Sequence, residues 1–364
     1  MRQVLIPKYG GPEVLTVRDV QSRPLGPDEV RVAVRAAGVN FADVLARMGL
    51  YPDAPKPPLV PGYEVAGVLT EVGREVRHLP ERTRVVALTR FGGYASEVVT
   101  PAAHVFPIPH TLDDPEAAAL PVNYLTASLA LYRLANLAEG ETVLIHGAGG
   151  GVGIAAVQLA RLRRAVIIGA ASAAKHAALK TLGVDHAVDS RTGDVNSAVR
   201  ALTRGRGVDV ILDPIGGKSF ENSYRLLAPL GRLVLYGVSA IAPGQRRSWW
   251  HAGRTMIQMP SFKPLSLMNR NKGVFGLNLA HLWDERQQLR SAMQFVLQEL
   301  AAGRIRPVIA RTFPLEHAAD AHRYIQSRAN IGKVVLTCDG DSREAGTGRG
   351  DVLDIDSRNS GDVG

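Results

Sequence analysis

The stretch TVLIHGAGGGVGIAAVQLAR, residues 142–161, constrains this chain more than any other part of it. An apolar run, Thr142–His146, leads into five glycines broken only by Ala148 and Val152, and then into a helix-like segment of small residues. Glycine permits a tight turn, lets the backbone approach a pyrophosphate, and lets a helix pack closely on the preceding strand. The helix N-terminus adds free N–H groups and the positive end of its dipole. In the G-x-G-x-x-G register the key positions are Ala148, Gly150 and Gly153, with alanine at the first. A glycine cluster alone is often only a turn. Its place between a strand and a helix, at the head of an alternating series, makes dinucleotide binding the expectation.

The series follows at once. Strands are expected over Ala165–Ala170, His186–Val188, Val208–Asp213, Arg232–Gly237 and Val274–Leu279, and helices over Ile154–Arg164, Ala173–Leu182 and Phe220–Leu227. Apolar strands spaced by helices imply a parallel sheet covered on both faces. The first hundred residues read differently. Val30, Val32 and Val34 alternate with polar or small residues, and Val65–Thr70, Arg84–Leu88, Tyr94–Val99 and His104–Ile108 are short strand-like runs. Pro61-Gly62, Gly67, Gly73 and Gly92-Gly93 fall between or within them, which suggests a small antiparallel sheet or partial barrel. After a helix over about Asp284–Ala302, the run Pro307–Phe313, the helix Leu315–Gln326 and the strand Lys333–Thr337 return to that style. The fold class is therefore α/β, with a β-rich domain from 1–122 and 307–338, a doubly wound dinucleotide-binding domain from 123–306, and a tail, 339–364, expected to be disordered.

A single cysteine, Cys338, excludes an internal disulfide and any four-cysteine zinc site. The N-terminus lacks the apolar core of a secretory signal. The longest uncharged run, Ala117–Tyr132, carries Pro121, Asn123 and Thr126 and stops at Arg133, short of the ~18–20 apolar residues that a membrane span needs. A soluble, cytoplasmic protein is expected. Outside the tail the chain holds 40 basic and 27 acidic side chains. An excess of that sign suits nucleic acid, anionic lipid or a phosphate-bearing ligand. With no block of like charge and no nucleic-acid motif, nucleic acid is not expected as a partner.

The second strand bears on the choice of cofactor. A carboxylate near its end holds the ribose 2′-hydroxyl of NAD, but Gly169, Ala170 and Ala171 are followed by Ser172 and Lys175. A lysine without a nearby acid suits a 2′-phosphate, although one lysine on its own is equally a solvated helix residue.

At this point the chain resembles the medium-chain dehydrogenase/reductases, specifically the zinc-free quinone oxidoreductase (zeta-crystallin-like) group. The similar segments include VNFADVLARMGLYP (39–52), PGYEVAGVLTEVG (61–73), ALPVNYLTASLAL (119–131), SAAK (172–175), VDVILDPIGG (208–217), GRLVLYG (231–237) and NIGKVVL (330–336). Within the group, DPIGGKSFENSYRLLAPLGRLVLYG and NKGVFGLNLAHL are most similar to the vesicle-amine-transport-protein-like branch. The resemblance implies a GroES-like catalytic domain, a Rossmann domain and NADPH in the cleft between them. It places Asn40 and Thr126 near the nicotinamide and its ribose, and Gly150, Gly151, Val152 and Gly153 at the pyrophosphate. Ser172 and Lys175 fall at the 2′-phosphate, Gly237 beside the nicotinamide, and Asn330 on the closing segment. Several relatives carry a tyrosine near the adenosine phosphate where this chain has Ser190. Read without the resemblance, Asn40 and Asn330 are caps, and Thr126 is a helix hydroxyl bonded to its own backbone.

The resemblance also marks what is missing. Asn40 stands where zinc-dependent relatives have a cysteine, and Tyr63 where they have a histidine. His317 and His322, five apart, read as surface residues of a helix rather than ligands. A zinc-independent enzyme is expected. An electrophilic acceptor needs only alignment with the cofactor and hydrogen bonds to the oxygen that gains charge. Asn40 and Tyr51 are the candidates for that work, although Tyr51 serves equally well as an aromatic wall.

Residues 241–280 hold Arg246, Arg247, Arg254, Lys263, Arg270 and Lys272 and no acid, interleaved with Trp249, Trp250, Met256, Met259 and Phe262. The resemblance places this region at the substrate entrance and near the dimer interface, while its composition fits equally an anionic membrane surface or a solvated flap. The expected activity is NADPH-dependent hydride transfer to a small electrophilic substrate, a quinone or an activated carbonyl or alkene. The alternatives are an enoyl-thioester reductase and a nucleotide-binding, membrane-associated interaction protein with little turnover. A homodimer through the edge strand Val274–Leu279 is expected, because that edge is otherwise unpaired.

Overall fold

The computed structural model describes residues 1–338; the tail expected to be disordered lies outside the described residues. Continuous apolar runs build a six-stranded sheet in the order His186–Asp189, Val166–Ala171, Thr142–His146, Val208–Asp213, Leu227–Leu235 and Gly273–Gly276. Every pairing in it is parallel. Val143, Ile145, Val210 and Leu212 join the core on one face, and Leu144, Ile168, Ile211 and Leu233 join the core on the other. Both faces are therefore dry, which is why these strands read as continuous apolar runs. The chain reverses direction across the sheet on either side of Thr142–His146, and ligands bind beyond the strand ends at such a switch point.

The second sheet has seven strands. Glu29–Val39 is its long spine, paired along one edge with Glu64–Val72 and along the other with both Glu97–Pro101 and Lys333–Thr337. Arg84–Leu88 and Val105–Pro107 extend it beyond Glu64–Val72. It is antiparallel throughout except at Ile309–Pro314, which pairs parallel to Lys333–Thr337. The last strand among the described residues thus returns to this mixed sheet, and the parallel sheet lies in the chain between its two contributions.

Several expectations need correction. The strand expected over Tyr94–Val99 begins at Glu97, because Tyr94 and Ala95 are used in the turn that packs against Pro61 and Gly62. The helix expected over Ala173–Leu182 is a 3-10 turn, Ala173–Lys175, followed by His176–Thr181. The edge strand expected over Val274–Leu279 is only Gly273–Gly276, since Leu279–Leu282 form a helical turn capped by Asn278. The edge offered for dimerisation is correspondingly short.

Two helices, Trp249–Ile257 and Pro264–Arg270, were not anticipated. They carry half of the large apolar side chains exposed among the described residues, namely Trp249, Trp250, Met256, Ile257, Leu265 and Met268. Ala252 and Thr255 are the buried contacts of the first helix, while Ile257 is 86% exposed.

His104, in the helical turn before Val105–Pro107, is buried with neither ring nitrogen partnered, and its ring centroid lies 3.7 Å from that of Trp283, at the end of the helical turn Leu279–Leu282. Burial pushes its imidazole down to about 4, reinforced by Arg286 and opposed by Asp284. A folded-state value below the unfolded one means stability that is complete above about pH 6.5 and is lost as pH falls toward 4. The loss is on the order of 3 kcal/mol. His104→Phe keeps the stack and removes the titration. Thermal melts from pH 7.5 to 4 should therefore fall less steeply for the variant than for the wild type; parallel profiles would refute the assignment.

Candidate active site

The glycine loop follows Thr142–His146 and turns at Gly147, whose φ is +63°. The helix Gly151–Leu162 begins at once, and its first backbone bond runs from Ile154 N to Gly150 O, so the N–H groups of 151–153 are left without helical partners. The glycines are demanded by contact. A Cβ on Gly153 would lie 2.3 Å from the Gly147 carbonyl oxygen, and one on Gly151 would lie 2.5 Å from Asn123 Nδ2. The returning segment docks on this loop through a bond from Gly332 N to Gly149 O of 3.0 Å. The result is a concave backbone surface rich in donors, suited to a pyrophosphate.

Beneath it lies a buried polar cluster. Asn40 caps the helix Phe41–Met48 through its backbone, whose N–H donates to Asp43 Oδ2 at 2.8 Å. Its side chain goes elsewhere. Asn40 Nδ2 donates to Glu64 Oε1 at 2.9 Å, and Asn40 Oδ1 accepts from Lys333 Nζ at 2.6 Å. Lys333 also donates to Glu64, and the other oxygen of Glu64 accepts from Val122 N at 2.7 Å. Lys333 and Glu64 are 3% and 0% exposed, so the pair is removed from water. Asn123, at the edge of this cluster, lies on the same helix as Thr126, one turn earlier, and both are buried. The Thr126 hydroxyl makes no hydrogen bond to its own helix among those described.

On the outer side of Asn40 the pocket is aromatic. Tyr51 meets Tyr63 edge-on at 6.1 Å, and Tyr63 meets Phe91 at 5.0 Å. Tyr51 OH donates to Asn278 Oδ1 at 3.4 Å, reaching the parallel-sheet domain, and Asn278 and His281 both hold Asp53. Burial raises the Tyr51 phenol, and the Asp53 carboxylate adds to that rise. Tyr51 and Asn40 make no direct bond.

Behind the pocket, burial pushes the Asp43 carboxyl up to about 7, although the N–H groups of Asn40 and Gly62, Lys333 and Tyr94 OH all draw it down. Tyr94 also meets His322 Nε2, and Arg47 meets His322 Nδ1, each at 3.2 Å. His322 is thus fully buried rather than a surface residue, and its burial holds it neutral; His317 is exposed as expected. The apolar stripe of Ala318–Gln326 places residue 322 inward, a pattern that the pair of histidines obscured.

At the far end of the glycine loop Lys175 Nζ donates to the Asn330 carbonyl at 2.5 Å, and its side chain lies over Gly149. Asn330 itself donates from Nδ2 to Gly332 O, which shapes the turn. Burial lowers the Lys175 ammonium, and Arg191 lowers it further; burial and Arg191 do the same to Arg328. No carboxylate pairs with these three cations among the described residues. The adjacent Asp189 instead accepts from Arg191 N and Thr192 Oγ1. The strand expected to end at Gly237 ends at Leu235, and a Cβ on Gly237, two residues beyond it, would lie 3.1 Å from the Pro214 carbonyl oxygen. Of the residues that the sequence singles out, the structure places the glycines, Asn40, Lys175 and Asn330 around this loop and cluster. Glu64, Lys333, Asn123, Arg191 and Arg328 are not singled out by the sequence, because their meaning depends on contacts distant in sequence.

Residues 26–110 match the profile of the alcohol dehydrogenase GroES-like domain, and residues 182–336 match that of the zinc-binding dehydrogenases. A synaptic vesicle membrane protein VAT-1 homolog of Danio rerio is 39% identical over 338 residues, covering 92% of this chain and 70% of the relative. The chain belongs to the medium-chain dehydrogenase/reductase superfamily. Escherichia coli quinone oxidoreductase, solved in complex with NADPH, superposes with a TM-score of 0.81 at 28% identity and covers 93% of this chain and 100% of that one. CurK enoyl reductase superposes with a TM-score of 0.80 at 29% identity over 92% and 98% of the two chains. As a member of this superfamily the protein is an oxidoreductase that binds a nicotinamide cofactor.

The zinc in one family's description finds no matching ligand set here. Asn40 and Tyr63 offer an amide and a phenol, the Lys333 ammonium occupies the cluster around Glu64, and no group of three metal-ligating side chains occurs among the described residues. The cluster instead has the properties of a buried ion pair. Removing one partner of such a pair costs about 3–5 kcal/mol, because the other charge is left in a dry site. Lys333→Met should lower stability by that amount in denaturant titration. Adding Glu64→Gln should recover more than half of it, whereas additive losses would show that the two charges act separately.

Proposed function

We propose that this protein is a zinc-independent, NADPH-dependent oxidoreductase that reduces a quinone or an activated carbonyl or alkene compound. The observation that carries the cofactor choice is the corner of Ser172, Lys175, Arg191 and Arg328, where three cations gather without a carboxylate partner beside a strand end that lacks the acid NAD favours. In this reading Gly150, Gly151, Val152 and Gly153 take the pyrophosphate, Ser172 and Lys175 the 2′-phosphate, Asn40 and Thr126 the nicotinamide half, and Gly237 and Asn330 flank it. The bound cofactor supplies a hydride. The chain's own part is to orient the acceptor against the aromatic wall, keep bulk water out, and offer hydrogen bonds to the oxygen that gains charge. No group in the pocket is poised as an obligatory acid, so the balancing proton is taken from water.

The test compares cofactors and acceptors together. Wild-type protein should oxidise NADPH in preference to NADH with a quinone panel, and should do so in the presence of a chelator. Faster turnover with crotonyl thioesters than with any quinone would favour the enoyl-thioester reading. Lys175→Glu should weaken NADPH binding by about ten- to a hundredfold, the scale of one charge-assisted hydrogen bond, and leave NADH nearly unchanged. Equal losses for both cofactors would contradict the phosphate role.

A second reading is favoured by the exposed face of Trp249–Ile257 and Pro264–Arg270. Trp250, Ile257, Leu265 and Met268 are each more than two-thirds exposed, among arginines and lysines and without an acid. That surface suits peripheral contact with anionic lipid. Among the described residues no helix is long and apolar enough to cross a membrane. Flotation with phosphatidylserine vesicles but not with neutral ones, abolished by Trp250→Glu together with Ile257→Glu, is the expected outcome; flotation unaffected by those changes would count against this face.

A further inference from the structure

Among the described residues, the one phenolic oxygen buried without a hydrogen bond of normal length and angle is that of Tyr63, which has only a weak interaction with the Tyr51 hydroxyl. The side chain is held firmly. Its residue is 9% exposed, its ring is wedged between Tyr51 and Phe91, and its carbonyl accepts from Thr89 N at 2.8 Å. The preceding Gly62 has a φ of +106°, and a Cβ there would lie 2.6 Å from Tyr94 N, so the turn that presents Tyr63 cannot relax. The following residue is Glu64, whose carboxylate holds Asn40 and Lys333. Tyr51 in turn reaches Asn278 across the gap between the two domains. Tyr63 therefore stands beside the Tyr51–Asn278 contact between the two domains, one residue in sequence from the polar cluster, in a box of flat rings.

A buried hydroxyl without a partner costs free energy, roughly that of a lost hydrogen bond, and native proteins keep such groups rarely. Resting on the function proposed above, we propose that the Tyr63 hydroxyl is the hydrogen-bond donor to the acceptor's carbonyl oxygen, with Tyr51 and Phe91 as walls for a planar ring. The acceptor gains two electrons and one proton as hydride from the dinucleotide. Its oxygen becomes negative, takes a hydrogen bond from Tyr63, and is then protonated by water. Tyr63 keeps its own proton throughout, because burial and the nearby Asp43 carboxyl hold its phenol well above the ordinary range. The group is a donor at every working pH, and no acid need be regenerated between turnovers.

Two consequences separate this role from packing. Tyr63→Phe removes only the oxygen, so a hydroxyl kept for stability would lower the melting temperature when lost. A hydroxyl kept for the substrate leaves the melting temperature equal or raised, since the orphaned group is gone. Electrophilicity supplies the second. A strongly oxidising para-quinone needs little help at its oxygen, whereas an α,β-unsaturated ketone needs more.

The experiment measures melting temperature, NADPH affinity by fluorescence, and kcat and KM with both acceptors, for wild type and Tyr63→Phe. The expected result is an unchanged or higher melting temperature and NADPH binding within twofold. The kcat should fall by about ten- to a hundredfold for the enone and by a smaller factor for the quinone. A lower melting temperature with equal losses for both acceptors, or rates equal to wild type, would overturn the inference while leaving the oxidoreductase reading intact. A wild type that oxidises NADPH with neither acceptor would remove both.

Discussion

The ammonium of Lys333 is the fastener on which the rest of the architecture depends. It arrives on the last strand, after the chain has left the mixed sheet, built the parallel sheet and come back. Its backbone neighbour Gly332 bonds the glycine loop, and its side chain bonds Glu64 and Asn40 in the other domain. One residue thus fixes the distance between the dinucleotide loop and the pocket floor. A buried ion pair is seldom a net source of stability, because desolvation offsets the Coulomb attraction. What it supplies here is register. Glu64 satisfies both its oxygens only when the helix from Pro121, the strand end at Asn40 and the returning strand are all in place.

That arrangement explains what the sequence could and could not reveal. The parallel sheet was legible because its strands are buried on both faces and its loop needs glycine at contacts of under 3 Å. Both demands are local, so they leave local marks. The pairing of Lys333 with Glu64 spans 269 positions, and nothing near either residue announces the other. The helices Trp249–Ile257 and Pro264–Arg270 escaped notice for a related reason. Their apolar residues face outward, so the pattern of a buried face, on which helix recognition rests, is absent. His322 reads as a surface residue in the sequence because two histidines near one another resemble a solvated pair. Only the fold shows that Tyr94 and Arg47 close around one of them.

The pocket itself departs from the rule that buried polar groups are satisfied. Asn40, Glu64, Lys333 and Asp43 form a saturated layer in which each bond positions another. Tyr63, one residue from that layer, is left unsaturated. A saturated floor beneath an unsaturated wall is what a site requires if it must hold its shape when empty and still have a hydrogen bond to offer.

The same economy governs the opposite end of the cleft. Lys175 and Arg328 are both partly desolvated, and Arg191 makes the charge of each less favourable in the unliganded protein. An anion placed among them relieves repulsion and forms bonds in the same event, so the binding gain exceeds that of a contact with neutral surroundings. A dinucleotide lacking the extra phosphate would meet the same strained cations and relieve none of the strain. Discrimination in the proposed reading therefore comes from a cost already present in the empty corner. The basic excess of the chain extends this outward, since a field of one sign draws a polyanionic ligand toward the cleft before any specific contact forms. In the proposed reading, capture at long range is set by net charge, and selection at short range by three side chains that have no counterion among the described residues.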